Sequence, residues 1–187
     1  AKPSVTGSLR AAWVVIGAGV TGLAASRRLA ELHPDEEIIL LEARTVGEGA
    51  SGRNSGFAVA VSHFPGPFDS GARENFRRIN SINQAGLDLL RAQVLERAIE
   101  CQWREKGFYH AAADTDSLRE CDYFLEYLQR MEIPHTALSA NDLAGTLGSS
   151  HYLKGVHVPK GGLVQPAALV RGLADNLPPN VQLFEQS

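Results

Sequence analysis

Near the start of the chain the apolar run Ala12-Trp13-Val14-Val15-Ile16 breaks into Gly17-Ala18-Gly19-Val20-Thr21-Gly22, and this junction limits the fold more than any other feature. A short run rich in β-branched residues and stopped by glycine reads as a central strand of a parallel sheet, covered on both faces. From Thr21 to His33 the chain turns to good helix formers, with Leu23, Leu29, Ala30 and Leu32 on one face, and His33-Pro34-Asp35 ends them. Ile38-Ile39-Leu40-Leu41 is a second buried run, closing at Glu42. Strand, helix and strand within about 30 residues form a βαβ unit, whose crossover is expected to be right-handed.

A G-x-G-x-x-G alone is a weak signal, because glycine-rich turns are common. Here it leaves a strand, opens a helix and is followed, 20 residues after its last glycine, by the acidic Glu42 at the end of the next strand. That context reads as a dinucleotide site. Gly17 permits the tight turn, Gly19 lets the backbone approach a pyrophosphate, and Gly22 lets the helix pack closely on the sheet. The N–H groups of Ala18 to Gly22, Val20 and Thr21 included, lie at the positive end of a helix dipole that favours phosphate. Glu42 is suited to accept from ribose hydroxyls, and its charge repels a 2′-phosphate, so FAD or NAD is favoured over NADP.

The following segment separates these two. After Glu42-Ala43-Arg44 comes Gly49-Ala50-Ser51-Gly52-Arg53-Asn54-Ser55-Gly56, and here the sequence resembles the D-amino-acid-oxidase-like family of FAD-dependent oxidoreductases. The resemblance implies FAD as cofactor, with Ser51, Gly52, Arg53, Asn54, Ser55 and Gly56 lying along the pyrophosphate and ribityl chain, and Ala43 and Arg44 also touching the cofactor. Such a stretch is chemically apt, since a glycine-rich turn offers a concave nest of N–H donors without side-chain obstruction. Trp103 to Ala113 resembles the family's strand-Gly-strand passage, and Gly161-Gly162-Leu163-Val164-Gln165-Pro166 its entry to a later helix. The resemblance further implies hydride transfer from the C–N bond of an amine or amino acid to flavin. It also implies that the groups touching substrate come from later segments of such enzymes, so no catalytic residue is assigned and this chain alone is expected not to turn over.

Beyond the βαβ unit, Phe76, Ile79, Ile82, Leu89, Leu90 and Val94 recur at helical spacing, predicting one helix from about Gly71 to Glu96. Residues 101–104 and 108–111, with Glu105-Lys106-Gly107 between them, read as a β-hairpin. Leu118, Cys121, Phe124, Leu125 and Leu128 mark an amphipathic helix, Ser139-x-x-Asp142 a capping box, and Gly155 to Val158 a strand. Pro166 opens a helix reaching about Asn176, and Val181 to Glu185 is a final strand. The fold class expected is α/β: a Rossmann-like FAD-binding βαβ unit carrying the start of an inserted antiparallel α+β substrate domain. The boundaries expected are 11–97 for the first part of the FAD-binding domain, 98–160 for the substrate domain and 161–187 for the return.

A formal net charge of −3 without runs of like charge points to a small-molecule partner rather than nucleic acid or an anionic membrane surface. Cys101 and Cys121, the only cysteines, lie apart from any metal-ligand spacing and read as packed thiols. No metal is expected, and the reading is of a cytoplasmic protein. A parallel sheet with few strands would leave unpaired edges, so association into an oligomer fits the sequence. His63, shortly after the flavin-side segment, is a candidate to approach or tether the ring, against its commoner reading as a loop histidine. Tyr109 and His110 border the expected substrate cavity, with alternation sending one of them inward, and Trp103 reads as core. Two other readings remain: a nicotinamide dehydrogenase, which leaves Ser51 to Gly56 unexplained, and a non-catalytic FAD-binding module.

Overall fold

The computed structural model describes residues 2–62 and 66–187. In chain order the elements are β1 (Trp13–Ile16), α1 (Val20–Leu32), β2 (Ile38–Leu41), β3 (Phe57–Ala58), α2 (Arg73–Glu96), β4 (Phe108–Ala112), α3 (Thr115–Arg130), β5 (Thr136–Ser139), α4 (Ala140–Leu147), β6 (Lys154–Val158), β7 (Gly162–Leu163), α5 (Pro166–Asp175) and β8 (Val181–Phe184). They divide into two compact units. The first comprises Ala1–Gly56, Arg91–Trp103 and Val164–Ser187, the second Phe57–Leu90 and Arg104–Leu163.

The first unit is built on a parallel sheet of order β1-β2-β8, with Ile38 opposite both Trp13 and Val181. Among the described residues, β2 alone in this sheet has two neighbours, and its Ile38 and Leu40 are fully buried, whereas Val14 and Ile16 on β1 are 56% and 85% exposed. The expectation that β1 is a covered central strand is therefore corrected. An apolar β-branched run reads the same at an edge as at a centre, because the pattern records residue type and not the number of partners. On α1, Leu23, Ser26, Arg27 and Ala30 are buried, and the Arg27 guanidinium donates to the Asn176 carbonyl oxygen. Burial, and then the nearby Arg97, hold the Arg27 pKa below its ordinary value. α5 begins with Pro166 as expected, and the Gln165 side chain caps it by accepting from the N–H groups of Ala167 and Ala168. A residue with no N–H to lose suits the first helical position.

The second unit holds an antiparallel sheet of order β4-β6-β5 and the two-stranded pair β3-β7. α3 carries the amphipathic face seen in the sequence, with Cys121, Phe124, Leu125, Tyr127 and Leu128 buried. These side chains pack with Phe76, Ala112, Val156 and Val158 into one apolar cluster. Asp114 and Ser117 form a capping box at its start, and Ser139 and Asp142 form the expected one on α4. The hairpin expected over 101–111 does not form. β4 pairs with β6, Phe108 opposite Val158, while Arg104 makes a single bridge to Leu163. The backbone explains the difference: Gln102 has φ +53°, which interrupts an extended run, and the Gly107 N–H donates to the Gly161 oxygen at 2.9 Å. Gly107 does turn the chain, at φ +69°, but toward 161–163 and not back onto 101–104.

Candidate dinucleotide-binding site

Three loops of the first unit converge at the C-terminal ends of β1 and β2. Gly17, at φ +95°, turns the chain out of β1, and its N–H donates to the Leu41 oxygen at 2.7 Å. Ala18 is buried behind it. Gly19 stands at the N-cap of α1 in extended conformation with no side chain to cap the helix. The helix ladder starts when the Leu23 N–H reaches the Gly19 oxygen at 3.0 Å, so the earlier N–H groups, those of Val20, Thr21 and Gly22, point out of the helix end. A β-carbon at position 22 would lie 1.8 Å from the Gly17 oxygen. Glycine there is what allows the helix to start so close to the strand.

Glu42 follows β2 and bridges two of the loops. One carboxylate oxygen accepts the Ala18 N–H at 2.9 Å and the other the Arg44 N–H at 2.9 Å. Ala43 and Arg44 are exposed beside it. The third loop, Ser51 to Gly56, opens with a 3-10 turn over Ala50–Gly52. Ser51 Oγ accepts the Val20 N–H at 3.1 Å and lies 2.8 Å from where a β-carbon on Gly19 would stand. Gly52 packs on Gly47, whose oxygen would be 2.0 Å from a β-carbon at 52. Asn54 is occupied internally: its amide donates to the oxygens of Ala50 and Ser51, and its Oδ1 accepts the Gly56 N–H at 2.8 Å. Gly56, buried at φ +78°, is fixed by the Val164 N–H donating to its oxygen. Arg53 and Ser55 project into solvent.

These features fit a dinucleotide. The helix end and glycine cradle suit a pyrophosphate, and a half-buried carboxylate at the end of the second strand suits ribose hydroxyls. All fifteen residues singled out in the sequence lie in these three loops or in the first turn of α1, and Glu42 and Ser51 tie the segments together. What the sequence reading missed is Glu185, a carboxylate just past β8 that is 5% exposed and accepts the Val46 N–H. Its only sequence signal is an acidic residue at the end of an apolar run.

Cys101 and Cys121 are fully buried, and burial raises the pKa of both thiols, as expected of packing residues. Tyr109 is 40% exposed and stacks on His157 at 4.6 Å between ring centroids, whereas the His110 ring lies 5.2 Å from Phe124 in the core cluster. Trp103 is half-buried. His63 lies outside the described residues. Among the described residues, no three His, Cys, Asp or Glu side chains are placed to hold a metal, and no helix is long and apolar enough to cross a membrane.

Fold and site together define an α/β dinucleotide-binding protein with an attached antiparallel unit. The family model for FAD dependent oxidoreductases matches residues 12–187, and the chain belongs to that family. The cofactor is accordingly FAD, which sets aside the nicotinamide reading. Among curated proteins it is 29% identical over 167 residues to gamma-glutamylputrescine oxidoreductase of Escherichia coli (strain K12), covering 86% of this chain and 38% of that protein. It is also 29% identical to the probable oxidoreductase OrdL of Haemophilus influenzae, covering 92% and 41%. The chain thus spans about 40% of the length of the curated relatives it matches. Glycine oxidase from Geobacillus kaustophilus shares its fold with a TM-score of 0.77 at 19% identity, over 96% of this chain and 47% of that one. L-proline dehydrogenase from P. horikoshii does so at 0.69 and 16%, over 99% and 44%.

Proposed function

We propose that this chain supplies the adenosine-diphosphate half of the FAD site in an enzyme that oxidises the C–N bond of an amine or amino acid. The observation that carries the reading is the convergence of the glycine turn, Glu42 and the Ser51 loop on one helix end. Gly19, Thr21 and Gly22 direct N–H groups at the pyrophosphate, and the turn over Ser51, Gly52 and Arg53 adds donors from the facing side. Glu42 takes the ribose hydroxyls, giving up its bonds to Ala18 and Arg44 in part or sharing its oxygens with them. Asn54 acts by holding its own loop. Arg53, exposed at the rim, is free to swing onto a phosphate.

FAD, when bound, supplies the two-electron acceptor for a hydride leaving the substrate carbon, and the protein's part is binding and orientation. The substrate class is supported by the curated relative that acts on gamma-glutamylputrescine and by the glycine oxidase and L-proline dehydrogenase folds. The assignment of 11–97 and 161–187 to FAD binding and 98–160 to the start of a substrate domain draws on the separation of a parallel from an antiparallel sheet, whereas the compact units themselves group 57–90 and 161–163 with the antiparallel sheet and 98–103 with the parallel one. Buried free thiols suit a reducing, cytoplasmic setting. This chain alone binds flavin without amine turnover.

Titration with FAD, FMN and NADH, read by flavin fluorescence quenching and competition, tests the reading. FAD binds most tightly, because it alone joins a flavin to the adenosine diphosphate that the three loops fit. Equal binding of FMN, which lacks the adenosine, contradicts it.

A further inference from the structure

Among the described residues Glu185 is the only buried carboxylate, and it is held by two stretches of chain far from it and from each other in sequence. One oxygen accepts the Val46 N–H at 2.8 Å, and the other accepts the Lys2 N–H at 2.8 Å. Burial by itself raises its pKa. The donors at Val46 and Lys2, with the Lys2 charge, more than offset that and hold it below the ordinary carboxylate range, so the group is ionised. A buried anion with two backbone donors acts as a fixed staple, since releasing either donor leaves charge uncompensated.

The backbone around it grips the same loop. The Glu42 N–H donates to the Phe184 oxygen at 2.8 Å, the Gln186 N–H to the Arg44 oxygen at 3.1 Å, and the Ser187 N–H to the Glu42 oxygen at 3.1 Å. Successive N–H groups of a regular strand point to opposite sides. Here Gln186 adopts φ +53°, and both its N–H and that of Ser187 face the loop. A left-handed, non-glycine residue carries a conformational cost that surrounding bonds must hold in place. The stretch from Glu42 to Val46 is therefore clamped at both ends, by Phe184 and by the Glu185 carboxylate. Between the clamps, Arg44 presents the N–H that fixes one oxygen of Glu42, whose other oxygen holds Ala18 in the glycine turn.

We propose that Glu185 is a positioning residue for Glu42: by fixing Val46 it fixes Arg44, and through Arg44 the carboxylate that receives the cofactor ribose. This rests on the FAD reading above for its functional meaning, though the linkage from Val46 to Ala18 stands on this chain's own hydrogen bonds. The ligand side of the site is thus organised from a third strand, ahead of binding.

Amide hydrogen exchange and FAD affinity in E185A, E185Q, E42A and E42A/E185A test it. With its acceptor removed, E185A speeds exchange at Val46, and also at Arg44 and Ala18, each by about tenfold or more, while amides of α3 are unchanged. E185Q keeps one acceptor and shows a smaller change of the same pattern; it is read in place of E185A if that variant does not fold. FAD affinity falls about tenfold in E185A and no further in E42A/E185A than in E42A, because residues acting through one another are non-additive. Faster exchange at Val46 alone, with Ala18 and Arg44 unchanged, overturns the proposal, as does an equal affinity loss in the E42A background. A wild-type chain that binds no FAD defeats the functional reading instead, and the exchange pattern still decides the role of Glu185.

Discussion

Gly19 and Gly22 stand three residues apart in one motif, yet substitution by alanine is predicted to damage different things. At position 22 the new β-carbon would meet the Gly17 oxygen at 1.8 Å, and a backbone atom has no rotamer in which to escape. The start of α1 must move by more than an ångström. So deep an overlap with backbone falls at the upper end of overpacking costs, about 3 kcal/mol, and about 1 kcal/mol of helix propensity gained on replacing glycine leaves a net loss of about 2 kcal/mol. At position 19 the obstacle is Ser51 Oγ at 2.8 Å, the mobile end of a small side chain, and the backbone at φ −77°, ψ 179° suits alanine. Moving Ser51 weakens its bond from Val20, worth about 1 kcal/mol. Gly19→Ala is therefore expected to lower Tm by about 2–4 °C, and Gly22→Ala by about twice that. For FAD the order reverses in proportion to stability lost. A methyl at 19 stands where the backbone meets the pyrophosphate, and losing one charge-assisted hydrogen bond of about 1.5–3 kcal/mol weakens binding roughly 10- to 100-fold. Thermal unfolding followed by circular dichroism, together with FAD titration of each folded variant, reads both quantities. If Gly19→Ala binds FAD like the wild type, or if the two variants lose equal stability, the assignment of Gly19 to close ligand approach and Gly22 to helix packing is refuted.

Ser51→Ala removes the acceptor of the Val20 N–H without steric change, so it is expected to cost about 1 kcal/mol of stability and to relieve part of the Gly19→Ala defect when combined with it. Both cysteines are fully exposed to reagent only on unfolding: native protein should resist a thiol-reactive dye that labels Cys101 and Cys121 rapidly in denaturant, and fast native labelling would contradict their burial. Phe124→Ala empties the centre of the second unit's core, where Phe124 is 2% exposed, and should destabilise by about 3–5 kcal/mol in denaturant unfolding. Because the Glu185 pKa is depressed on folding, its contribution is complete above the ordinary carboxylate range and is lost as pH falls through the lower folded value. An acid titration of stability should therefore be shallower in E185Q than in the wild type.

The βαβ unit was legible because its signals are local: apolar run, glycine turn, amphipathic helix and acidic strand end all lie between Ala12 and Glu42. The capping box at Ser139 and the helix start at Pro166 were legible for the same reason. The hairpin misreading shows the limit. Gly107 announces a turn, but the partner of β4 is β6, more than forty residues later, and nothing near Gly107 encodes that choice. β5 was missed because Thr136-Ala137-Leu138-Ser139 carries little alternation, and its strand conformation comes from pairing with β6. At the site the same division holds. The fingerprint, Glu42 and the Ser51 loop could be named from residue types, whereas the bond from Ser51 to Val20 and the place of Glu185 depend on contacts between distant segments.

An amide chemical-shift map of the chain during titration with FAD locates the cofactor on the three loops or away from them. The largest changes are expected at Gly19 to Gly22, at Glu42 to Arg44 and at Ser51 to Gly56, with α3 and the strands β4, β5 and β6 little affected. Changes centred elsewhere, or none at saturating FAD, would contradict the binding of FAD on these loops.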